Sequence, residues 1–145
     1  MEILTDEYLL QNTQKPITYG DIIKDFEKLK VIETSKPLSI IGNKIIHYFT
    51  LQERLNTKVK KGKLCISYVD FVKNRDQYLQ KPYIKRFLEN NKKEFSYALY
   101  ECFKLYFSSV CIFKPLRAKM LYEKYKPKTI LDLSLIHISE PTRPY

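Results

Sequence analysis

Over most of its length this chain repeats apolar side chains at helical spacing, and that period most restricts the folds open to it. The clearest case is residues 93–110, where Phe95, Leu99, Cys102, Phe103, Tyr106 and Phe107 fall on one broad face, widened by Tyr97 and Tyr100. An aromatic stripe at this spacing reads first as buried core and only second as a platform for stacking bases.

Shorter helices flank it. Thr18-x-x-Asp21 has the form of a capping box with Asp in place of Glu. Ile22, Ile23, Phe26 and Leu29 follow at helical spacing, which predicts a helix over residues 19–30. Ser35-Lys36-Pro37 breaks the chain. A second helix is expected over residues 40–55, with Ile45, Ile46 and Phe49 inward. Ser67-x-x-Asp70 caps a short helix carrying Val69, Phe71 and Val72. Lys81-Pro82 places proline at the start of another, with Tyr83, Ile84, Phe87 and Leu88 as its apolar side and Asn90-Asn91 at its end. Phe113-Lys114-Pro115 opens the last helix, with Leu116, Met120, Leu121 and Tyr125 inward and Pro127 as the stop.

Two segments leave the helical period. Val59 and Leu64/Ile66 flank Lys61-Gly62, which fits a two-stranded hairpin. Thr129-Ile130-Leu131-Asp132 reads as a short apolar strand ending in an acid. Residues 1–16 read as a polar lead-in.

Composition bounds the function. A chain of 145 residues, 44% hydrophobic, suggests one folded domain. Three glycines, Gly20, Gly42 and Gly62, exclude a complete glycine-rich phosphate loop within this chain. No apolar run approaches the ~20 residues of a membrane span, and the acidic N-terminus lacks a signal-peptide pattern. Cys65, Cys102 and Cys111 are odd in number with no C-x-x-C spacing. We read them as small buried hydrophobes in a reducing, intracellular setting, with no metal site. His47, on an apolar helix face, reads as a structural residue.

The formal net charge is +10, from 26 Lys+Arg against 16 Asp+Glu. Such a charge favours encounter with nucleic acid. The basic residues are mostly Lys, however, and Lys, Ile, Asn and Tyr all have AT-rich codons, so codon bias is a competing source of the charge. The hairpin lysines Lys58, Lys60, Lys61 and Lys63 are candidate phosphate contacts, as are Lys85 and Arg86 within a group with Lys81, Lys92 and Lys93. A solvated strand edge kept soluble by lysine is the plainer reading of the hairpin.

The end of the chain is of another kind. Leu133 to Arg143 reads Leu-Ser-Leu-Ile-His-Ile-Ser-Glu-Pro-Thr-Arg, followed by Pro144 and Tyr145. This resembles the translation of a transposase-type sequencing adapter. We therefore expect residues 133–145 to be an adapter-derived tail, with the natural sequence truncated near Asp132, and set His137 aside as a catalytic candidate.

The segment from Phe113 to Asp132 combines an aromatic-x-Pro entry, one amphipathic helix, a Lys-Pro-Lys turn and an apolar strand ending in Leu-Asp. It resembles the entry to a class I S-adenosylmethionine-dependent methyltransferase, and more narrowly the DNA-methylase-like proteins of large DNA viruses and phages. The resemblance covers about residues 93–132. The helical period before it makes the chain mainly α, a helical N-terminal region with a small hairpin (1–110); the resemblance implies that the start of a truncated Rossmann-like α/β methyltransferase domain follows (111–132). It also implies S-adenosylmethionine as cofactor. Phe113, Lys114 and Pro115 would wall its pocket, Arg117 would face the same pocket, and Asp132 would be the first acid of the cofactor motif. In such sheets the ligand sits at the carboxyl ends of the strands, and a glycine-rich turn lets backbone approach it. Here that turn is where the adapter-like residues begin, and the catalytic residues are unknown.

Three functions follow. The chain is the N-terminal portion of a nucleic-acid (DNA) methyltransferase, inactive as this fragment. Alternatively it is a small basic helical module that binds nucleic acid without catalysis, or a scaffold whose charge is codon bias. Evenly mixed surface charge would favour the scaffold.

Overall fold

The computed structural model describes residues 4–33, 39–107 and 110–130. Its elements are α1 (Asp6–Gln11), α2 (Tyr19–Val31), α3 (Asn43–Asn56), β1 (Val59–Lys61), β2 (Leu64–Ile66), α4 (Tyr68–Lys73), α5 (Arg75–Leu79), α6 (Pro82–Asn90), α7 (Phe95–Phe107) and α8 (Pro115–Tyr125). The protein is mainly helical, and among the described residues the only sheet is the antiparallel β1–β2 hairpin.

Helix α7 forms where the aromatic stripe predicts, and it is the spine of the core. Leu99 and Cys102 are fully buried, and Tyr100, Phe103 and Phe107 nearly so. α4 supplies the opposing rings. Tyr68 lies 4.8 Å from Tyr100 and 5.3 Å from Phe103, and Phe71 lies 5.3 Å from both Phe103 and Phe107, measured between centroids. Burial holds the Tyr68 hydroxyl in its neutral form by pushing its pKa upward. Ile84 of α6, Leu55 of α3 and Ile66 of β2 close the remaining sides.

Both capping boxes are present. The Thr18 hydroxyl accepts from the Asp21 backbone N–H at 3.2 Å, and the Asp21 carboxylate accepts from the Thr18 N–H at 3.0 Å. Ser67 and Asp70 make the same reciprocal pair at 3.2 Å each way. These hydrogen bonds, backbone first, hold both carboxyls below the usual range. Pro82 and Pro115 occupy the first turns of α6 and α8, where the missing N–H costs nothing.

Residues 1–16 are not a mere polar lead-in. They contain α1, whose Leu9 is completely buried in the main cluster. The Arg75 guanidinium donates to the Asp6 carboxylate and, at 3.2 Å, to the Leu4 carbonyl. The Tyr8 hydroxyl donates to Glu94 at 2.7 Å. A six-residue helix is too short to show a period or to stand alone, so contacts some seventy to ninety residues away fix it. The short α5, five residues long, likewise shows no period in the sequence.

The other departures concern which faces are covered. Ile23, Phe26 and Phe49 were expected inward and are exposed, as are Leu121 and Tyr125 of α8. Cys102 is buried, whereas Cys65 and Cys111 are exposed, which corrects the reading of all three as buried. Thr129 and Ile130 form no strand; Leu131, Asp132 and the adapter-like residues 133–145 lie outside the described residues. The expected first strand of a Rossmann-like sheet is therefore not formed by the described part of that segment.

Candidate functional site

The hairpin forms where the sequence predicts, with Val59 opposite Ile66, Lys60 opposite Cys65 and Lys61 opposite Leu64. Gly62 sits in the turn at φ +61°, a left-handed conformation that explains glycine there. Ile66 anchors the hairpin in the core, while Lys58, Lys60, Lys61 and Lys63 are all exposed. The Lys61 ammonium lies 5.7 Å from the Phe107 ring centroid, so this cation is steered over the end of α7.

Helix α6 packs against that same end. Tyr106 of α7 meets Tyr83 at 4.8 Å and Phe87 at 6.1 Å between ring centroids. Around this aromatic contact runs an open groove of about 810 Å³, lined by Pro82, Tyr83, Arg86, Phe87, Asn90, Asn91, Lys92 and Tyr106. Lys85 and Arg86 are both exposed, but only Arg86 enters the groove lining. Tyr83 is 43% exposed, although the sequence places it on the apolar side of its helix. The consecutive residues Tyr106 and Phe107 thus link the two candidate basic patches: Phe107 lies under Lys61 and Tyr106 backs the α6 groove.

No carboxylate lines this groove. Glu101 lines a neighbouring hollow with Phe87 and Lys104. Lys93 donates to it at 2.5 Å. That hydrogen bond, more than any other contact, holds the Glu101 carboxyl below its usual range. The Asn91 side-chain oxygen accepts the Lys93 backbone N–H at 3.0 Å, which fixes the loop between α6 and α7. By sequence Asn90-Asn91 reads as a helix stop alone; that they also line a groove depends on α7 arriving alongside.

The cofactor candidates are arranged differently. Pro115 packs against the turn before α3: Gly42 has φ +90°, and a Cβ there would stand 2.8 Å from the Pro115 Cβ. Pro115 also lines an apolar groove of about 400 Å³ with Phe26, Leu29, Ala118 and Tyr122, rimmed by Lys30 and Lys119. Phe113 is 63% exposed, Lys114 is half-buried and Arg117 is exposed; none of the three lines that groove. Asp132 lies outside the described residues. The four described candidates therefore do not converge on one pocket, and by themselves they do not fit an S-adenosylmethionine site.

What α8 does is dock. The Lys119 ammonium donates to the carbonyls of Leu29 at 2.9 Å, Lys30 at 2.9 Å and Ile32 at 2.8 Å, which caps the C-terminal end of α2. A cation at the negative end of a helix dipole is well placed. Asp25 of α2, buried to 7% exposure, reciprocates at α3 by accepting the Lys44 backbone N–H at 3.2 Å. Gly42 can offer α3 no side-chain cap of its own.

His47 is a structural histidine. Its Nδ1 lies 2.7 Å from the Arg54 Nη2. Arginine can only donate, so Nδ1 accepts and the ring is neutral. Burial first, and then Arg54, hold its pKa below the ordinary value. Among the described residues no group of three or more His, Cys, Asp or Glu could hold a metal ion, and no helix is long and apolar enough to cross a membrane. Comparison with protein-family models, curated proteins and solved structures found no match.

Proposed function

We propose that this chain is the nucleic-acid-holding N-terminal portion of an S-adenosylmethionine-dependent nucleic-acid methyltransferase, acting on DNA, and that its helical body binds the polyanion without performing the chemistry. The observation that carries the binding half is the uneven charge. Residues 58–93 hold eleven Lys+Arg against three Asp+Glu, while residues 1–57 hold seven against eight. Codon bias acts on the whole gene and gives no reason for a neutral first third beside a strongly basic middle. The hairpin lysines and the α6 cations fall in that basic stretch and are exposed; Lys61 lies over Phe107, and Arg86 lines the groove backed by Tyr106. The methyltransferase half rests on the resemblance of Phe113–Asp132 alone.

The two halves are tested separately. DNA affinity should fall steeply with salt, because each lysine that meets a phosphate releases a counterion and contributes about 0.9 to the log–log slope. Replacing Lys58, Lys60, Lys61 and Lys63 together by Gln is expected to reduce that slope by about 2 to 4. Absence of DNA binding at low salt would remove the reading. For the methyl donor, titration calorimetry of the chain with S-adenosylmethionine should give no saturable heat, since the glycine-rich turn is missing and the described cofactor candidates do not converge. Saturable micromolar binding would overturn that division of labour.

A further inference from the structure

The α6–α7 groove has a composition that the lysine hairpin lacks. Its floor is aromatic, with Tyr106 flanked by Tyr83 and Phe87. Its rim carries the Arg86 and Lys92 cations and the Asn90 and Asn91 amides, without a carboxylate. Glu101 beside it is already engaged by Lys93. The other aromatic contacts of α7 are sealed in the core, with Phe103 and Phe107 at 4% and 3% exposure; the Tyr83 ring is not. An exposed ring beside two cations, in a concavity of about 810 Å³, is matched to a flat π-system that carries negative charge next to it.

We propose that this groove seats an unpaired nucleobase of a single-stranded nucleic acid. The base stacks on Tyr83 and the edge of Tyr106, Arg86 and Lys92 take the flanking phosphates, and the Asn90 amide meets the base edge, the Asn91 amide being held by Lys93. The proposal rests on the nucleic-acid reading above and narrows it to a strand form. In a duplex the base faces are covered by their neighbours, so an aromatic platform contributes only where a base is unstacked. An acidic peptide would satisfy the cations but leave the aromatic floor without a partner.

Fluorescence anisotropy with the full chain at low salt separates these cases, using oligo(dT), an abasic strand of equal length and a duplex of equal length. Oligo(dT) should bind about tenfold more tightly than the abasic strand, in keeping with one stacked base. Tyr83→Ala should erase that preference while leaving abasic and duplex binding unchanged. Tyr83→Phe should keep the preference and Tyr83→Leu should lose it, which separates loss of stacking from loss of fold. Equal affinity for oligo(dT) and the abasic strand overturns the base-seating groove and leaves the hairpin reading standing. Competition by polyglutamate as effective as by oligo(dT) also overturns the groove. If none of the nucleic acids binds, both readings fall.

Discussion

The region built on α4 and α7 and the layer formed by α2, α3 and α8 hold together by different physics. In the first, the rings of Tyr68, Phe71, Tyr78, Tyr100, Phe103 and Phe107 form one connected set of stacked, edge and tilted contacts, and all of them but Tyr78 are buried. In the second, Tyr19, Ile23, Phe26, Phe49 and Tyr125 are exposed, and each helix buries only one or two residues. Two of the joints in that layer are polar and directional, Asp25 on the start of α3 and Lys119 on the end of α2, and a third is the close seat of Pro115 against Gly42. Charge does not divide along the same line: residues 1–57 are close to neutral, but α8 and its flanks carry Lys114, Arg117, Lys119, Lys124, Lys126 and Lys128 against Glu123 alone. Apolar periodicity alone thus does not say how tightly a helix is buried; that depends on what the rest of the chain brings to its face.

The sharpest way to break this contrast is a matched pair of truncations. Phe71→Ala should cost about 3 to 5 kcal/mol, because it opens a cavity among rings that cannot collapse into it. Phe49→Ala, at 64% exposure, should cost about 0.5 kcal/mol or less. Urea denaturation of both variants checks the difference; equal losses would mean that the α2–α3 face is covered in solution.

A smaller effect is expected from Lys119→Met, which keeps the stem and removes the charge. Three carbonyls lose their donor, and about 2 kcal/mol should be lost from the docking of α8. Hydrogen exchange should speed up in the last turn of α2 and in α8 while α7 stays protected. Uniform loss of protection would show that the two regions unfold as one.

The smallest effect concerns His47. Its folded pKa is depressed, so between the folded and unfolded values the unfolded chain binds more protons. Stability is therefore fully present above the ordinary histidine pKa and is lost as pH falls below it toward the folded value. His47→Gln should flatten the pH dependence of the denaturation midpoint in that window. An unchanged slope would show that Arg54 does not meet a neutral ring in solution.

Much of the local structure was legible because its causes are local. Thr18-x-x-Asp21 and Ser67-x-x-Asp70 carry their hydrogen-bond partners within four residues, and Pro82 and Pro115 mark helix starts by their own ring geometry. The hairpin was legible because Lys61-Gly62 between apolar flanks marks its turn. α1 could not be read, because Arg75 and the core around Leu9 hold it from a distance. The groove was hidden for a related reason: Tyr83 and Tyr106 each look like core residues on their own helices, and only the packing of α6 on α7 leaves one of them open beside Arg86 and Lys92.

The sequence alone determined the helical character, the caps, the hairpin and its turn, and the basic stretch, since each follows from propensity, spacing or charge within a few residues. Tertiary structure decided which apolar faces are sealed and which stay open, that Lys119 caps a helix, that His47 is a neutral acceptor, and that aromatic and cationic side chains meet in one groove. Those outcomes depend on partners far apart along the chain, and a linear pattern records the period of a face but not the surface that meets it.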